Sequence, residues 1–456
     1  MNVNEKSITL FRDAPVSKAV FSNIIPSIIS MLMVMFYNLA DTVFIGQTKN
    51  ALMVTAVSLA TPVFLLFMAI GMLFGIGGTS FISRRLGEGD YHTARRASSF
   101  CFWGGITIGI ISLIGIIIFA EPVARSVGAS DDSLEFTKQY LTIVALGIPF
   151  LILSNAFSNI IRAEGHPKIA MTGMIVGNLV NILLDPVMIL MFGWNVAGAA
   201  IATVLGNVVS AVFYLIHLIS KKSMLSIHPK HFTLNRTISL GVFAIGIPAA
   251  LNSVLMSTSN IVINNVMSDY GDMAVAGLGV AMKVNTIAVM LLIGIGTGIQ
   301  PVLGFCFGAR MRERYLAVLR FTLIVAFITS VVMTFVCYTF AGPLVRFILE
   351  EPNAYSYGFT FSRVYILSGP VLGILFVMIN AIQSTGATIP SLILSISRQG
   401  LIYYPVLIIF THLFDSAKMA AMSQPVTDYT AAALSVILFI LTFRKYFPKN
   451  KVPQKI

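Results

Sequence analysis

The sequence predicts an all-α polytopic membrane protein in which twelve transmembrane helices form two six-helix lobes, related by a parallel pseudo-two-fold repeat. Three observations lead to this prediction. First, 57% of the residues are hydrophobic and only 11% are charged, whereas soluble proteins carry about 25% charged residues. Second, the chain divides into apolar runs long enough to cross a bilayer, which takes about 20 residues of helix. Third, the second half repeats unusual residues of the first half in the same order.

Short polar loops separate the apolar runs. We place the runs near residues 16–46, 51–81, 94–119, 136–161, 167–192, 196–220, 237–267, 274–306, 315–347, 358–383, 388–412 and 419–443. The segment before the first run lacks a short apolar region followed by a small-residue cleavage site. We therefore expect the first run to be a retained span and not a signal peptide.

The basic residues predict the orientation of the spans. Most of the loop Lys and Arg lie on the side that also carries both termini, and such residues are held in the cytoplasm. We expect a multi-pass protein of the cell membrane with both termini cytoplasmic, acting as a monomer. Topology and attraction to anionic lipid headgroups explain the formal net charge of +12. The positive net charge therefore does not indicate a nucleic-acid partner.

Several kinds of chemistry find no support in the sequence. Cys101, Cys306 and Cys337 lie in or at the end of apolar runs without nearby partners, so no disulfide framework is predicted. The six histidines lack the spacing of metal ligands, and we expect neither a zinc site nor a cofactor. No GxxxxGK[ST] loop is present, which argues against ATP as the energy source. A membrane enzyme should show a constellation of His, Asp or Ser near the end of a span, and the sequence shows none.

An internal repeat appears when the second half is shifted by 221 or 222 residues. Pro26 then matches Pro248, and Asn38 matches Asn260. Further matches pair Gly75 with Gly296, Gly77 with Gly298, Gly87 with Gly308, Pro149 with Pro370, Asn159 with Asn380 and Gly165 with Gly386. Because each half holds an even number of spans, both halves have the same orientation in the membrane. The repeat axis therefore runs along the membrane normal.

The repeat predicts the domain organisation. Residues 1–220 form an N-terminal lobe, residues 221–236 a cytoplasmic linker, and residues 237–456 a C-terminal lobe with a basic tail. Two such lobes enclose a central cleft, and their rocking gives alternating access in transporters. Channels and membrane enzymes also contain repeats, and a gene duplication without mechanistic meaning is the remaining alternative.

Two acids lie deep in the spans of the N-terminal half. Asp41 lies in span 1 and Asp185 in span 5, where a charge costs at least about 2.5 kcal/mol and requires a partner, water or a function. Asn181 lies one helical turn before Asp185 and shares its face. Pro186 follows and frees the backbone carbonyl of Ile182, an oxygen ligand of the kind that hard cations prefer.

Span 6 adds Thr203 and Asn207 on a face of small residues that allows close helix packing. Asp41, Asn181, Asp185 and Thr203 would supply two carboxylates, an amide oxygen and a hydroxyl. Such a set suits either a dehydrated Na⁺ or a shared proton. For Thr203 and Asn207 alone, simple hydrogen bonding between helices is an equally good explanation.

The C-terminal half lacks both acids. In the repeat register Asp41 matches Ile263, and Asp185 falls near Tyr404. A purely structural role would favour acids in both halves, whereas a coupling role needs only one site. The asymmetry therefore favours coupling.

In place of these acids, the C-terminal half has Lys283, Arg398 and Asp428. Asp428 takes the place of Asn207, and Thr203 is replaced by Gln424. Arg398 and Asp428 either pair across spans 11 and 12, which we favour, or contact the substrate.

These motifs resemble those of a known family. The proline of span 1, "YNLADTVFIG" in span 1, "NILLDP" in span 5 and "SQPVTDYTAA" in span 12 are similar to the multidrug and toxic compound extrusion (MATE) family. The resemblance covers nearly the whole chain. Among the branches of the family, the sequence is most similar to the DinF-type exporters, and within them to the MepA-like drug exporters of Gram-positive bacteria.

The resemblance implies secondary active efflux of cationic and amphipathic organic compounds by antiport with H⁺ or Na⁺. It places the coupling site at Asp41, Asn181, Asp185 and Thr203, and a hinge at Pro26. The resemblance also implies a surrounding hydrogen-bond network that includes Tyr37, Tyr140 and Asn155. The repeat and the polar residues of the spans add further candidates for the supporting network and substrate cleft: Asn38, Asn207, Asn260, Lys283, Arg398 and Asp428. Other branches carry an acid in span 7 that this chain lacks, so no second cation site is expected.

One alternative function within the wider superfamily remains open. A flippase for lipids or lipid-linked saccharides would usually line its cavity with several cationic residues. Here only Lys283 and Arg398 lie deep in the spans, which favours the exporter.

Overall fold

The computed structural model describes residues 3–46, 51–220, 222–349 and 351–447 of the chain, and within these ranges it contains helices and no strand. The first half comprises α1 (Val3–Arg12), α2 (Val16–Gly46), α3 (Ala51–Gly87), α4 (Tyr91–Ile118), α5 (Ala120–Ser126), α6 (Asp131–Ala163), α7 (Pro167–Pro186) and α8 (Asn195–Ile219). A π-helical turn, Val187–Met191, continues α7.

The second half repeats this order. It comprises α9 (Arg236–Ser268), α10 (Asp272–Gly308), α11 (Arg312–Thr339), α12 (Ala341–Ile348), α13 (Pro352–Ile366), α14 (Gly369–Thr385), α15 (Thr388–Ile396), α16 (Tyr403–Phe414) and α17 (Ala417–Tyr446). A π-helical turn, Ser397–Leu401, joins α15 to α16. The short helices α5 and α12 occupy matching places after spans 3 and 9.

The predicted all-α membrane fold with twelve spans is confirmed, with one correction to span 10. Eleven stretches of helix are long and apolar enough to cross a membrane, and α13 with α14 forms the twelfth span, bent by 50°. The sequence predicts one continuous run over residues 358–383. The break falls at Leu367 and Ser368, directly before Gly369 and Pro370, which begin α14. Proline is favoured in the first turn of a helix and cannot donate a backbone hydrogen bond to a preceding helix. In span 4, α6 continues unbroken through Pro149.

Equivalent helices pack together within each half. In the first half, α2 packs against α7, α3 against α6, and α6 against α8. In the second half, α9 packs against α15, α10 against α13 and α14, and α14 against α17. Each half is therefore one six-span lobe, as the repeat predicts.

The two lobes meet along a seam formed by α2 and α3 on one side and α9 and α10 on the other. Two matched glycines allow close contact. A Cβ on Gly87 would lie 2.2 Å from the Phe305 carbonyl oxygen, and one on Gly308 would lie 2.0 Å from the Arg84 carbonyl oxygen. Ser80 Oγ also donates across the seam to the Gln383 carbonyl at 2.5 Å.

The seam lies at the end of the bundle that carries the start of α2, the end of α8 and the start of α9, which we call the linker end. Further close approaches across the seam lie in the same half of these spans: a Cβ on Gly77 would lie 2.2 Å from the Val242 carbonyl oxygen, and one on Gly246 would lie 2.2 Å from the Leu73 carbonyl oxygen. The lobes are therefore in close contact at the linker end.

The linker between α8 and α9 lies against the N-terminal lobe. Arg95 Nε donates to the Met224 carbonyl at 2.9 Å, and Trp103 Nε1 donates to the Ile227 carbonyl at 3.1 Å. Both donors belong to α4. The linker is therefore attached to one lobe and not shared equally between the two. The exact boundaries of the lobes at 220 and 237 stay a prediction.

Candidate functional site

The candidate site is built around the last turn of α7. Asp185 is fully buried and Asn181, one turn earlier, is 3% exposed. Pro186 ends the regular α-helical hydrogen bonding, and the π-helical turn follows directly. Within the described part of the chain, neither carboxylate oxygen of Asp185 has a hydrogen-bond partner, and nor does Asn181 Oδ1. Three buried oxygen acceptors thus lack donors on a single helix face.

Thr203 of α8 completes this face. Asn181 Nδ2 donates to Thr203 Oγ1 at 3.2 Å. Since the amide nitrogen is used in this way, the amide oxygen is left as the free acceptor. Small residues explain the close approach of the two helices: a Cβ on Gly206 would lie 2.8 Å from the carbonyl oxygen of Gly177.

Span 1 brings the second acid to this site. Asp41 is partly buried on α2, which packs against α7, and its charge is close enough to repel that of Asp185. Tyr37, one turn earlier, lies close to Thr203 and within electrostatic range of both acids. Tyr140 of α6 lies within electrostatic range of Tyr37 and both acids. The structure thus brings together six of the residues that the sequence indicates: Tyr37, Asp41, Tyr140, Asn181, Asp185 and Thr203.

Two carboxylates and an amide oxygen in a poorly hydrated pocket create a strong demand for positive charge. A buried charge is stable when it is paired or coordinated, and unpaired buried acceptors need an explanation such as an ion. A proton shared between the acids or a Na⁺ held by their oxygens would satisfy this demand. The pocket lies in the half of the lobe away from the linker end.

Other predicted residues lie around or apart from this pocket. Asn207 Nδ2 donates to the Thr203 carbonyl at 2.9 Å, and its Oδ1 accepts from Ser154 Oγ at 3.1 Å. Asn155 Nδ2 donates to the carbonyl of Leu151 on its own helix. The three remaining candidates are exposed: Asn38, Asn260 and Lys283.

The C-terminal lobe contains a buried ion pair between spans 11 and 12. Arg398 Nε donates to Asp428 Oδ1 at 2.9 Å, and both side chains are buried. Gln424 Nε2 donates to the same oxygen at 3.2 Å, and the Arg398 guanidinium lies over the Phe376 ring at 5.0 Å. The pairing of Arg398 with Asp428 is thus the arrangement that the structure contains. Its charges neutralise each other, so this lobe has no comparable demand for a cation here.

Pro26 lies within α2, which runs unbroken from Val16 to Gly46. Polar side chains fold back on the backbone next to it: Ser27 Oγ donates to the Asn23 carbonyl, and Ser30 Oγ donates to the Pro26 carbonyl, each at 2.9 Å. Such bonds weaken and often bend helices. The predicted hinge role of Pro26 stays a prediction.

One residue near Pro26 was missed at the level of sequence. Arg162, at the end of α6, is 2% exposed and donates through Nη1 to Ser27 Oγ at 3.3 Å and through Nη2 to Asn159 Oδ1 at 3.1 Å. In the sequence, Arg162 is only one of several basic residues near the ends of spans. Arg162 lies one helical turn after Asn159, which the repeat matches to Asn380. This spacing was the signal by which the sequence could have indicated a functional role for Arg162.

A helical protein with twelve spans in two like lobes, a cleft between them and an acidic pocket in one lobe has the architecture of a secondary transporter. The MatE family model matches residues 26–187 and 248–409, one match in each lobe. The chain belongs to the MatE family. The resemblance inferred from the span 1, 5 and 12 motifs is confirmed.

Three comparisons describe this relationship. Multidrug export protein MepA of Staphylococcus aureus (strain MSSA476) is 31% identical over 445 residues, which cover 97% of this chain and 98% of that protein. A crystal structure of MATE in complex with MaL6 has a TM-score of 0.92 at 24% identity, covering 97% of this chain and 99% of that one. The outward-facing conformation of a multidrug resistance MATE family transporter of the MOP superfamily has a TM-score of 0.91 at 24% identity, covering 97% and 98%. The two structures share the fold of this chain.

Proposed function

We propose that the protein is a multidrug exporter that moves cationic and amphipathic organic compounds out of the cell in exchange for H⁺ or Na⁺. The observation that carries this proposal is the set of unpaired oxygens on Asp185 and Asn181, beside Asp41, in one lobe only. The export function named for the Staphylococcus aureus relative supports it. On this proposal the chain is a transporter and not an enzyme.

The geometry suggests how ion binding drives the cycle. Without a cation, the charges of Asp41 and Asp185 repel each other across the contact between α2 and α7. A proton or Na⁺ removes this repulsion and allows span 1 to pack against spans 5 and 6. Since α2 also forms part of the seam with α10, a shift of span 1 changes how the lobes meet. Ion binding and lobe movement are then coupled through one helix.

The proposal includes an orientation. With both termini and the linker in the cytoplasm of a cell-membrane protein, the closed linker end faces inward and the cleft opens outward. The basic loop residues support this orientation. In this state Asp41, which lies toward the open end, is reached from outside, where the coupling ion is taken up. We further propose that the monomer is the working unit.

The first prediction concerns the energy source. Inside-out vesicles containing the protein should accumulate a fluorescent organic cation when the lumen is made acidic or loaded with Na⁺, because the ion leaves through the site as the dye enters. ATP without an ion gradient should give no accumulation. Separate pH and Na⁺ gradients identify the coupling ion, and dye accumulation with ATP alone would overturn the proposed mechanism.

The same vesicles distinguish an exporter from a flippase. A fluorescent phospholipid or an isoprenoid-linked saccharide placed in one leaflet should stay there, whereas organic cations should be exchanged for the ion. Ion-driven movement of the lipid without movement of cations would favour the flippase instead. The pairing of Arg398 with Asp428 supports the exporter, because it leaves one fewer free cation to hold a phosphate group.

The second prediction concerns Pro26. Replacing it with Ala supplies the missing backbone donor and stiffens α2, so transport should slow several-fold while expression is unchanged. Initial efflux rates in proteoliposomes measure the effect. Pro62→Ala, in the middle of α3 at an exposed position, is the matched control and should transport at the parental rate. Equal rates for Pro26→Ala and the parent would show that flexibility at Pro26 is not used.

A further inference from the structure

Three potential metal ligands meet at the linker end of the N-terminal lobe, away from the acidic pocket. Glu164 follows α6, His166 precedes α7, and His217 lies in the last turn of α8. One ligand atom from each residue lies within 4.8 Å of the other two. Glu164 and His217 are buried, and His166 is half-buried. The three side chains therefore connect the ends of spans 4, 5 and 6.

The spacing of these atoms fits a tetrahedral metal ion. Glu164 Oε2 lies 3.4 Å from His217 Nε2, which is long for a charge-assisted hydrogen bond. Zinc bonds to His and Glu of about 2.0–2.2 Å place neighbouring tetrahedral ligands about 3.4 Å apart. The rings of His166 and His217 stand edge to face with centroids 5.2 Å apart. A small closure of the cluster would bring all three atoms into the coordination sphere.

One ligand atom has no other use in the structure. His166 Nε2 is buried and has no hydrogen-bond partner within the described residues. A buried polar atom without a partner costs about 1–3 kcal/mol. A metal bound by His166, His217 and Glu164 would satisfy this nitrogen and also neutralise the buried carboxylate. Two imidazoles and one carboxylate are a common zinc ligand set, with the fourth position left to water.

Outer hydrogen bonds hold the carboxylate in position. Glu164 Oε1 accepts from Ser223 Oγ at 2.7 Å, from the Leu225 backbone N–H at 3.3 Å and from the Met224 backbone N–H. These donors occupy Oε1 and leave Oε2 for the metal. Metal-binding carboxylates are usually oriented by such second partners. All three donors belong to the linker, so the carboxylate links the cluster to the connection between the lobes.

We propose that Glu164, His166 and His217 form a binding site for Zn²⁺ or a similar divalent transition metal, which fastens the linker to the N-terminal lobe. The site is separate from the ion-coupling pocket and does not depend on the proposed transport function. Sequence spacing does not reveal it, because His217 is distant from Glu164 and His166 along the chain. The proposal departs from the expectation, drawn from sequence spacing, that the histidines form no zinc site.

Metal binding by the purified full-length protein tests the proposal. The protein is prepared in detergent without a polyhistidine tag, stripped with a chelator and titrated with Zn²⁺ by calorimetry, with metal content measured after dialysis. We expect one Zn²⁺ per chain and a higher Tm with Zn²⁺ but not with Mg²⁺. His166→Gln and His217→Gln should weaken binding at least tenfold. His166→Gln loses no hydrogen bond at Nε2, so it should fold normally.

The matched control uses the other histidine pair. His228 and His231 lie in the linker with ring centroids 6.2 Å apart, and within the described residues they belong to no group of three potential metal ligands. The double variant His228→Gln/His231→Gln should bind Zn²⁺ as the parent does. The proposal is wrong if the parent binds no Zn²⁺ above the Mg²⁺ background, if His166→Gln binds as tightly as the parent, or if the His228/His231 variant loses the metal.

A second measurement reports on the linker itself. Lys222 is exposed and precedes the residues that hold Glu164, so trypsin should cleave after it more slowly when Zn²⁺ is bound. His217→Gln should remove this protection. Zinc binding without any change in cleavage would contradict the part of the proposal that concerns the linker.

Discussion

Replacing Asp185 with Asn should reduce ion-driven efflux at least tenfold while leaving expression intact. The substitution keeps the shape of the side chain but removes a charge from a fully buried position. Removing a charge from a membrane span lowers the energy of insertion, so the protein should still reach the membrane. The neutral pocket no longer demands a cation, and ion binding is therefore uncoupled from lobe movement. Substrate binding measured by equilibrium titration should persist.

Two further variants sharpen this result. Asp41→Asn should have the same effect, and the double variant should be no worse than either single one, because groups that act as a unit are not additive. Tyr404→Phe, near the position that matches Asp185 in the other lobe, is the control and should transport normally. Initial efflux rates, normalised to surface expression, decide the outcome. Parental coupled efflux by Asp185→Asn would remove this pocket from the mechanism.

Replacing Gly308 with Val should prevent the lobes from closing at the linker end and abolish transport. A Cβ at this position would lie 2.0 Å from the backbone carbonyl of Arg84 on the opposite lobe. Backbone atoms cannot move aside as a flexible side chain can, so the seam must widen. Spin labels on the exposed residues Glu88 and Glu313 report the distance across the linker end by pulsed electron resonance. We expect this distance to increase.

The control for this variant lies on the same helix. A Cβ on Gly279 would meet no atom within 4 Å, so Gly279→Val changes side-chain volume and helix propensity by the same amount without a clash. It should retain both the parental distance and parental transport. If Gly308→Val also kept the parental distance distribution, the close contact at the seam would not limit closure.

The fold could be predicted almost entirely from the sequence. Apolar runs, basic loops and the repeat specify spans and lobes because the bilayer requires long apolar helices whose backbone groups are satisfied internally. The bend in span 10 was harder to foresee. Pro149 and Pro370 occupy matching positions, yet only the span containing Gly369 and Pro370 is broken. The outcome depends on neighbouring residues and packing and not on proline alone.

The candidate site was predicted in part. Asp41, Asn181 and Asp185 could be found because an acid within an apolar run is rare and expensive. The direction of the Asn181 amide, with its nitrogen on Thr203 and its oxygen free, depends on how two helices rotate against each other. The same holds for Arg162 and for the cluster at Glu164, whose partners lie on other spans. Contacts of this kind have no local signature in the chain.

The presence of the acid pair in one lobe alone limits how much electrical energy each transport cycle can use. If one proton enters as one monovalent drug cation leaves, no net charge crosses the membrane, and only the pH difference contributes, at about 1.4 kcal/mol per unit. If both acids release a proton, one net charge moves inward and the membrane potential adds about 2.3 kcal/mol per 100 mV. Two carboxylates permit no higher proton stoichiometry. The small residual efflux of a variant with only one acid should therefore not respond to the membrane potential.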